Sequence, residues 1–171
     1  KFTKKWDERL SPYYHKLSDI NKYIPANHTI EDVEMGHLND DKLLDAIVII
    51  RPHHDYSGSS WPFIIYTGNK KGGFDYVRTS NNAIDKGGQG GKAWSSYYYT
   101  KIHDRSFSIF HYYPGNSGSS IYTTFNYTDN NTWTMTYYHY CFGQNCDTFE
   151  PDEITDYKQK KTKPVLFKDF D

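Results

Sequence analysis

The chain has 171 residues, 36% of them hydrophobic and 18% aromatic, with 17 tyrosines. That is the length of one ordinary domain, and the large apolar area of the aromatic rings excludes disorder despite the polar average. The 20 basic and 21 acidic side chains nearly cancel. They give no electrostatic reason to expect nucleic acid or an anionic membrane, and no stretch approaches the ~18 apolar residues of a membrane span.

Trp6, Leu10, Tyr13, Leu17, Ile20 and Ile24 recur at spacings of three and four, which predicts an N-terminal helical segment over 1–24. Ser11 and Pro12 suit an N-cap and the first helical position, so the main helix is expected over 12–22, after a shorter turn over 2–10. Pro25 ends it, because the residue before proline avoids the α region. The chain begins at Lys1 without Met, which is consistent with a processed N-terminus.

From Ile30 the pattern changes to strands. Residues 36–45, GHLNDDKLLD, lead directly into the β-branched run 46–50, which predicts a central strand. The loop has the spacing of a calcium site, whose oxygen ligands at positions 1, 3, 5 and 9 converge on one hard cation while Gly at position 6 allows the turn. Those positions are His37, Asn39, Asp41 and Asp45, with Lys42 in place of Gly. His37 is a poor calcium ligand, and a side chain at a left-handed position costs about 1 kcal/mol. The expectation is therefore a loop of calcium type, with Asn39, Asp41 and Asp45 as remaining ligands, that has lost its ion.

Strands are predicted over 61–67 and 74–79 around a loop of turn formers. After a glycine-rich linker, 94–103 and 106–113 read as a hairpin about Asp104 and Arg105. Alternation puts Phe107, Ile109, His111 and Tyr113 on one face, and Ser106, Ser108, Phe110 and Tyr112 on the other. A second hairpin, 119–128 with 132–141, turns at Asp129, Asn130 and Asn131. A last edge strand is expected over 164–167. The fold class is mainly β. A single domain over 1–171 carries a β-rich core over 30–142 and a polar C-terminal extension over 143–171. Seven or eight strands joined by short loops favour antiparallel pairing in a twisted sheet, partial barrel or small sandwich.

Taken together, Ile24–Pro25, the pattern Gly36-x-Leu38-Asn39-x-Asp41-x-x-x-Asp45 and the apolar 47–50 resemble the GDLNGDGxxD loop of bacterial FG-GAP/VCBS-type repeats. The span 24–142 is similar to a group of exported bacterial proteins, often lipoproteins, with one such loop. Further matching residues are the glycine-rich Gly87–Gly91, the strand Ser106–Tyr112 with Gly115, then Ser119, Ser120, Phe125, Asn126, Tyr127 and Trp133. His37 stands where the family has its first Asp, and the cysteine pair falls after the glycine-rich segment rather than before it. The resemblance implies a β-rich fold and export to the periplasm or beyond; it implies no enzyme activity.

Cys141 and Cys146 lack redox CxxC spacing. They read either as a disulfide closing a short loop, worth about 2 kcal/mol and implying an oxidising compartment, or as two free thiols in a cytosolic protein. His53, His54 and Asp55 precede a serine-rich stretch and read as solvated loop residues, since strand neighbours point to opposite faces. No G-x-S-x-G elbow and no P-loop is present, and FEPDE at 149–153 reads as a charged turn. The tyrosines carry the strongest functional signal: Tyr97, Tyr99, Tyr112 and Tyr138, with Trp94, form a candidate binding surface on strands rich in Ser, Gly and Asn. These features predict a binding protein without catalytic activity and without a cofactor. Its expected partner is another protein, as for a toxin-neutralising immunity protein. The rival expectations are a carbohydrate or peptidoglycan-binding module and a hydrolase with an unrecognised site.

Overall fold

A computed structural model describes residues 20–54, 59–84, 96–113, 118–142 and 165–169. Within them the chain forms eight antiparallel strands: β1 (His28–Gly36), β2 (Asp45–Pro52), β3 (Phe63–Gly68), β4 (Phe74–Ser80), β5 (Tyr97–His103), β6 (Ser106–Tyr113), β7 (Ser119–Asp129) and β8 (Thr132–Phe142). They make two four-stranded meanders, β1-β2-β3-β4 and β5-β6-β7-β8. The mainly β class is thus as the composition and turn signals predict, and of the three architectures the chain adopts the two-sheet one.

The two sheets share a core. Ile47, Ile49, Phe63 and Ile65 of the first face Phe107, Ile109, Phe125 and Trp133 of the second, all nearly devoid of exposure. The rings of Phe63 and Phe107 lie 5.4 Å apart, and Phe167 inserts 5.2 Å from Phe63, Phe107 and Phe125. Phe167 belongs to a 3-10 turn, Phe167–Asp169, held on β8 by a bridge between Leu166 and Thr134. A single bridge thus replaces the edge strand expected over 164–167, and the supposedly polar extension contributes a core aromatic.

The first sheet is buried on both faces. Its outer side collects Val33, Ala46, Val48, Ile50, Ile64, Tyr66 and Phe74 under Ile20 and Ile24. The uninterrupted apolar run 46–50 is the sequence image of a strand without a solvent face. Of the helix expected over 12–22, only the end is described: Ile20 and Asn21 are helical, and the amides of Tyr23 and Ile24 donate to their carbonyls at 3.1 and 3.3 Å. The remainder lies outside the described residues. What is described of the N-terminal segment covers the first sheet, not the tyrosine-rich second one.

Asn130 and Asn131 both adopt positive φ, 44° and 54°, the conformation of a two-residue hairpin turn that asparagine tolerates better than most side chains. Two irregularities in the second sheet matter more. Tyr97 pairs with His111 but Tyr99 with Phe110, so Tyr98 is an extra residue on β5. Thr124 pairs with Tyr137 but Phe125 with Met135, so Thr136 is an extra residue on β8. Each β-bulge exchanges the faces of every side chain beyond it.

Candidate functional site

The loop between β1 and β2 keeps a defined shape by satisfying its own backbone. Asn39 Oδ1 accepts from the Asp41 amide and Asp41 Oδ1 from the Leu43 amide, both at 2.8 Å, in two successive Asx turns. Asp45 is fully buried, and its carboxylate accepts from the Leu38 amide at 2.7 Å and the Gly68 amide at 2.9 Å. Burial, with Asp41 nearby, lifts its carboxyl above the ordinary aspartate range, while the two amides and His37 oppose the shift. Gly68 is required here, because a Cβ would meet the Leu44 carbonyl oxygen at 2.5 Å. Trp133 Nε1 donates to the Leu38 carbonyl at 3.0 Å, and Arg105 pairs with Asp40 at 2.8 Å, so the loop is docked onto the second sheet.

Of the oxygens expected as calcium ligands, Asn39 Oδ1, Asp41 Oδ1 and both oxygens of Asp45 thus accept amide protons. Lys42 lacks the left-handed backbone expected of position 6: the described non-glycine residues with positive φ are Arg105, Asn130 and Asn131. The expected 1 kcal/mol strain at Lys42 is thus absent, because the Asx turns close the loop by another route. Among the described residues no group of three or more His, Cys, Asp or Glu side chains is placed to hold a metal ion.

The predicted tyrosine surface divides into three places. Tyr97 points into the sandwich, where its ring packs 6.5 Å from Trp61 and 6.4 Å from His111 and its hydroxyl donates to Asp32. Burial, then the adjacent Asp32 carboxylate, holds that hydroxyl well above the ordinary tyrosine range. Tyr97 thus bridges the two sheets and is not part of the outer aromatic face. Tyr99 and Tyr112 lie on the outer face of the second sheet, because the bulge at Tyr98 turns Tyr99 away from Tyr97. Tyr138 lies on the opposite, inward-facing side, at the end of the sandwich. Trp94 is outside the described residues.

On the outer face the rings form a continuous layer. Tyr99 stacks on Phe110 at 5.1 Å, Phe110 meets Tyr122 at 6.2 Å, and Tyr122 meets Tyr137 at 6.1 Å. Phe110 and Tyr122 are buried although they face away from the core. Tyr98, 67% exposed, stands on this layer with its ring 5.7 Å from Phe110 and 6.4 Å from Tyr112. Sequence reasoning left Tyr98 out of the binding set; the Tyr97–Tyr98–Tyr99 run was visible, but the bulge that presents the middle residue follows from pairing.

At the end of the sandwich an open cleft of about 190 Å³ lies between β6, β7 and β8 and the segment following β4. Ile109, Ile121 and Phe125 are apolar side chains of its lining, and Asn82, Thr123 and Tyr138 are polar residues beside them. His111, Tyr113 and Ala83 also line it. Tyr140 and Phe142 follow Tyr138 at alternate positions of β8, with exposures of 54% and 70% against 43% for Tyr138.

Cys141 is disulfide-bonded, as expected; Cys146, the chain's other cysteine, lies outside the described residues, as does Asp55. No described helix is long and apolar enough to cross a membrane. No protein-family model, no curated protein and no solved structure matches the chain.

Proposed function

We propose that this domain is an exported binding protein without catalytic activity that recognises another protein through the outer aromatic face of its second sheet. The observation that carries the reading is Tyr98, exposed on a bed of packed rings. A tyrosine held by neighbouring rings offers a large amphipathic contact surface with little conformational entropy to lose, which is the chemistry of interface hot spots. Export is supported by the disulfide at Cys141 and by the resemblance to exported bacterial proteins with a single FG-GAP-like loop. A toxin-neutralising immunity protein is a concrete version: small, non-catalytic, and acting by covering a surface.

The test is capture from lysate of the source organism with the folded, disulfide-intact chain as bait. A stoichiometric protein partner that Tyr98→Ala fails to retain supports the reading, and the partner's own activity shows whether binding inhibits it. Capture unchanged by that substitution would sink it. A glycan-binding reading is favoured by a different observation, the cleft at the end of the sandwich, whose described lining residues include no Lys, Arg, Asp or Glu. A hydrolase finds less support, since no carboxylate is among the described residues lining that cleft.

A further inference from the structure

We infer that the end cleft is a separate small-ligand site for a neutral sugar ring. The inference does not rest on the protein-recognition reading, which concerns the opposite face of the same sheet. Among the described residues lining the cleft there is no Lys, Arg, Asp or Glu. Apart from the His111 imidazole, the described lining offers no group that can carry a counter-charge, so a charged ligand loses hydration with little in return, which disfavours phosphates, carboxylates and amines. A pure hydrocarbon suits the apolar lining but makes no use of the amide and hydroxyl groups that Asn82, Thr123 and Tyr138 bring to it.

A pyranose answers both halves of that lining. Its C–H face is apolar and suits Ile109 and Ile121, and its hydroxyl rim reaches the amide and hydroxyl groups around them. The volume of about 190 Å³ lies below the ~300–1,000 Å³ of pockets that enclose drug-sized ligands, so the cleft accommodates one ring rather than a chain. Further rings have somewhere to go. Tyr138, Tyr140 and Phe142 occupy alternate positions on one face of β8, roughly 7 Å apart along the strand, and exposure rises from the first to the last. These rings make an aromatic track leading away from the cleft, suited to stacking the apolar faces of successive sugars. The ligand class is thus a neutral oligosaccharide whose terminal ring enters the cleft.

The test is a titration of the intact, isotope-labelled chain with neutral oligosaccharides built on glucose, galactose, mannose and N-acetylglucosamine, with an oligouronate as charged control. The expected result is amide shifts centred on Asn82, Thr123 and Tyr138 that spread to Tyr140 with longer neutral ligands. Tyr138→Ala, at a partly exposed edge position, should weaken binding by about tenfold or more, and Thr123→Val, which keeps the volume, should weaken it measurably. Tyr98→Ala should leave saccharide binding unchanged. Three results would each overturn the inference: no neutral saccharide shifting these amides at millimolar concentration, the uronate binding equally well, or shifts centred on Tyr98. The first of these leaves protein recognition by the outer face intact, and a failed lysate capture leaves the cleft intact.

Discussion

The two sheets have the same number of strands and the same meander order, yet their outer faces differ in kind. The first sheet packs Val48, Ile50, Ile64 and Tyr66 under Ile20 and Ile24, and the aromatic surface it leaves exposed is the stacked pair Tyr23 and Tyr76. The second packs one face into the common core and covers the other with its own tyrosines, so its outer surface stays aromatic and partly wet. Aliphatic side chains need a covering element to leave water. Tyrosines on adjacent strands cover one another with their ring faces while their hydroxyls remain solvated. Aliphatic burial is therefore concentrated in the first sheet and the inter-sheet layer, and the surface proposed for recognition lies on the second.

This contrast was partly written in the sequence. The unbroken 46–50 run has no polar alternate and so has no solvent side, whereas 106–113 alternates into the two faces expected, of which the one with Phe107 and Ile109 turns inward. The placement of the tyrosines was not legible. Alternation alone puts Tyr97 and Tyr99 together, and Trp133, Met135 and Tyr137 together. The bulges at Tyr98 and Thr136 send Tyr99 and Tyr137 to the opposite face, and a bulge depends on which residues pair across strands. The loop over 36–45 was recognisable as a shaped, oxygen-rich turn. Asn39 and Asp41 bond amides only two residues on, but the role of Asp45 depends on the Gly68 amide, distant in sequence and brought in by β3.

The division of labour can be broken at the layer the sheets share. Trp133→Ala removes a fully buried indole and its bond to Leu38, and should cost about 3–5 kcal/mol in urea unfolding. A loss below about 1 kcal/mol would mean that the sheets do not share one core.

Asp45→Ala orphans the amides of Leu38 and Gly68 and is expected to cost about 2–4 kcal/mol by the same measurement. The pH dependence sharpens the point. Burial raises the Asp45 carboxyl, so the folded chain holds that proton more tightly than the unfolded one. Stability from this group is fully present below the ordinary aspartate value and is lost as pH rises through the raised one. Asp45→Asn should flatten the fall across that window. An unchanged profile would show that the carboxyl is not held in its buried, desolvated place. Calcium should leave the melting temperature of the wild-type chain unaltered, and a rise on its addition would give Asn39, Asp41 and Asp45 back their ligand role.

The smallest expected effect on stability is at Tyr98. Its ring is largely exposed, so Tyr98→Ala should change unfolding free energy by no more than about 0.5 kcal/mol. A larger loss would make it part of the fold rather than of a surface.

The most direct measurement sets that small cost against binding: capture from lysate with wild-type chain and with Tyr98→Ala, at matched folding. Recognition by the outer face predicts that the stable variant releases the partner the wild type retains. A variant that folds normally and still captures the same protein would contradict it.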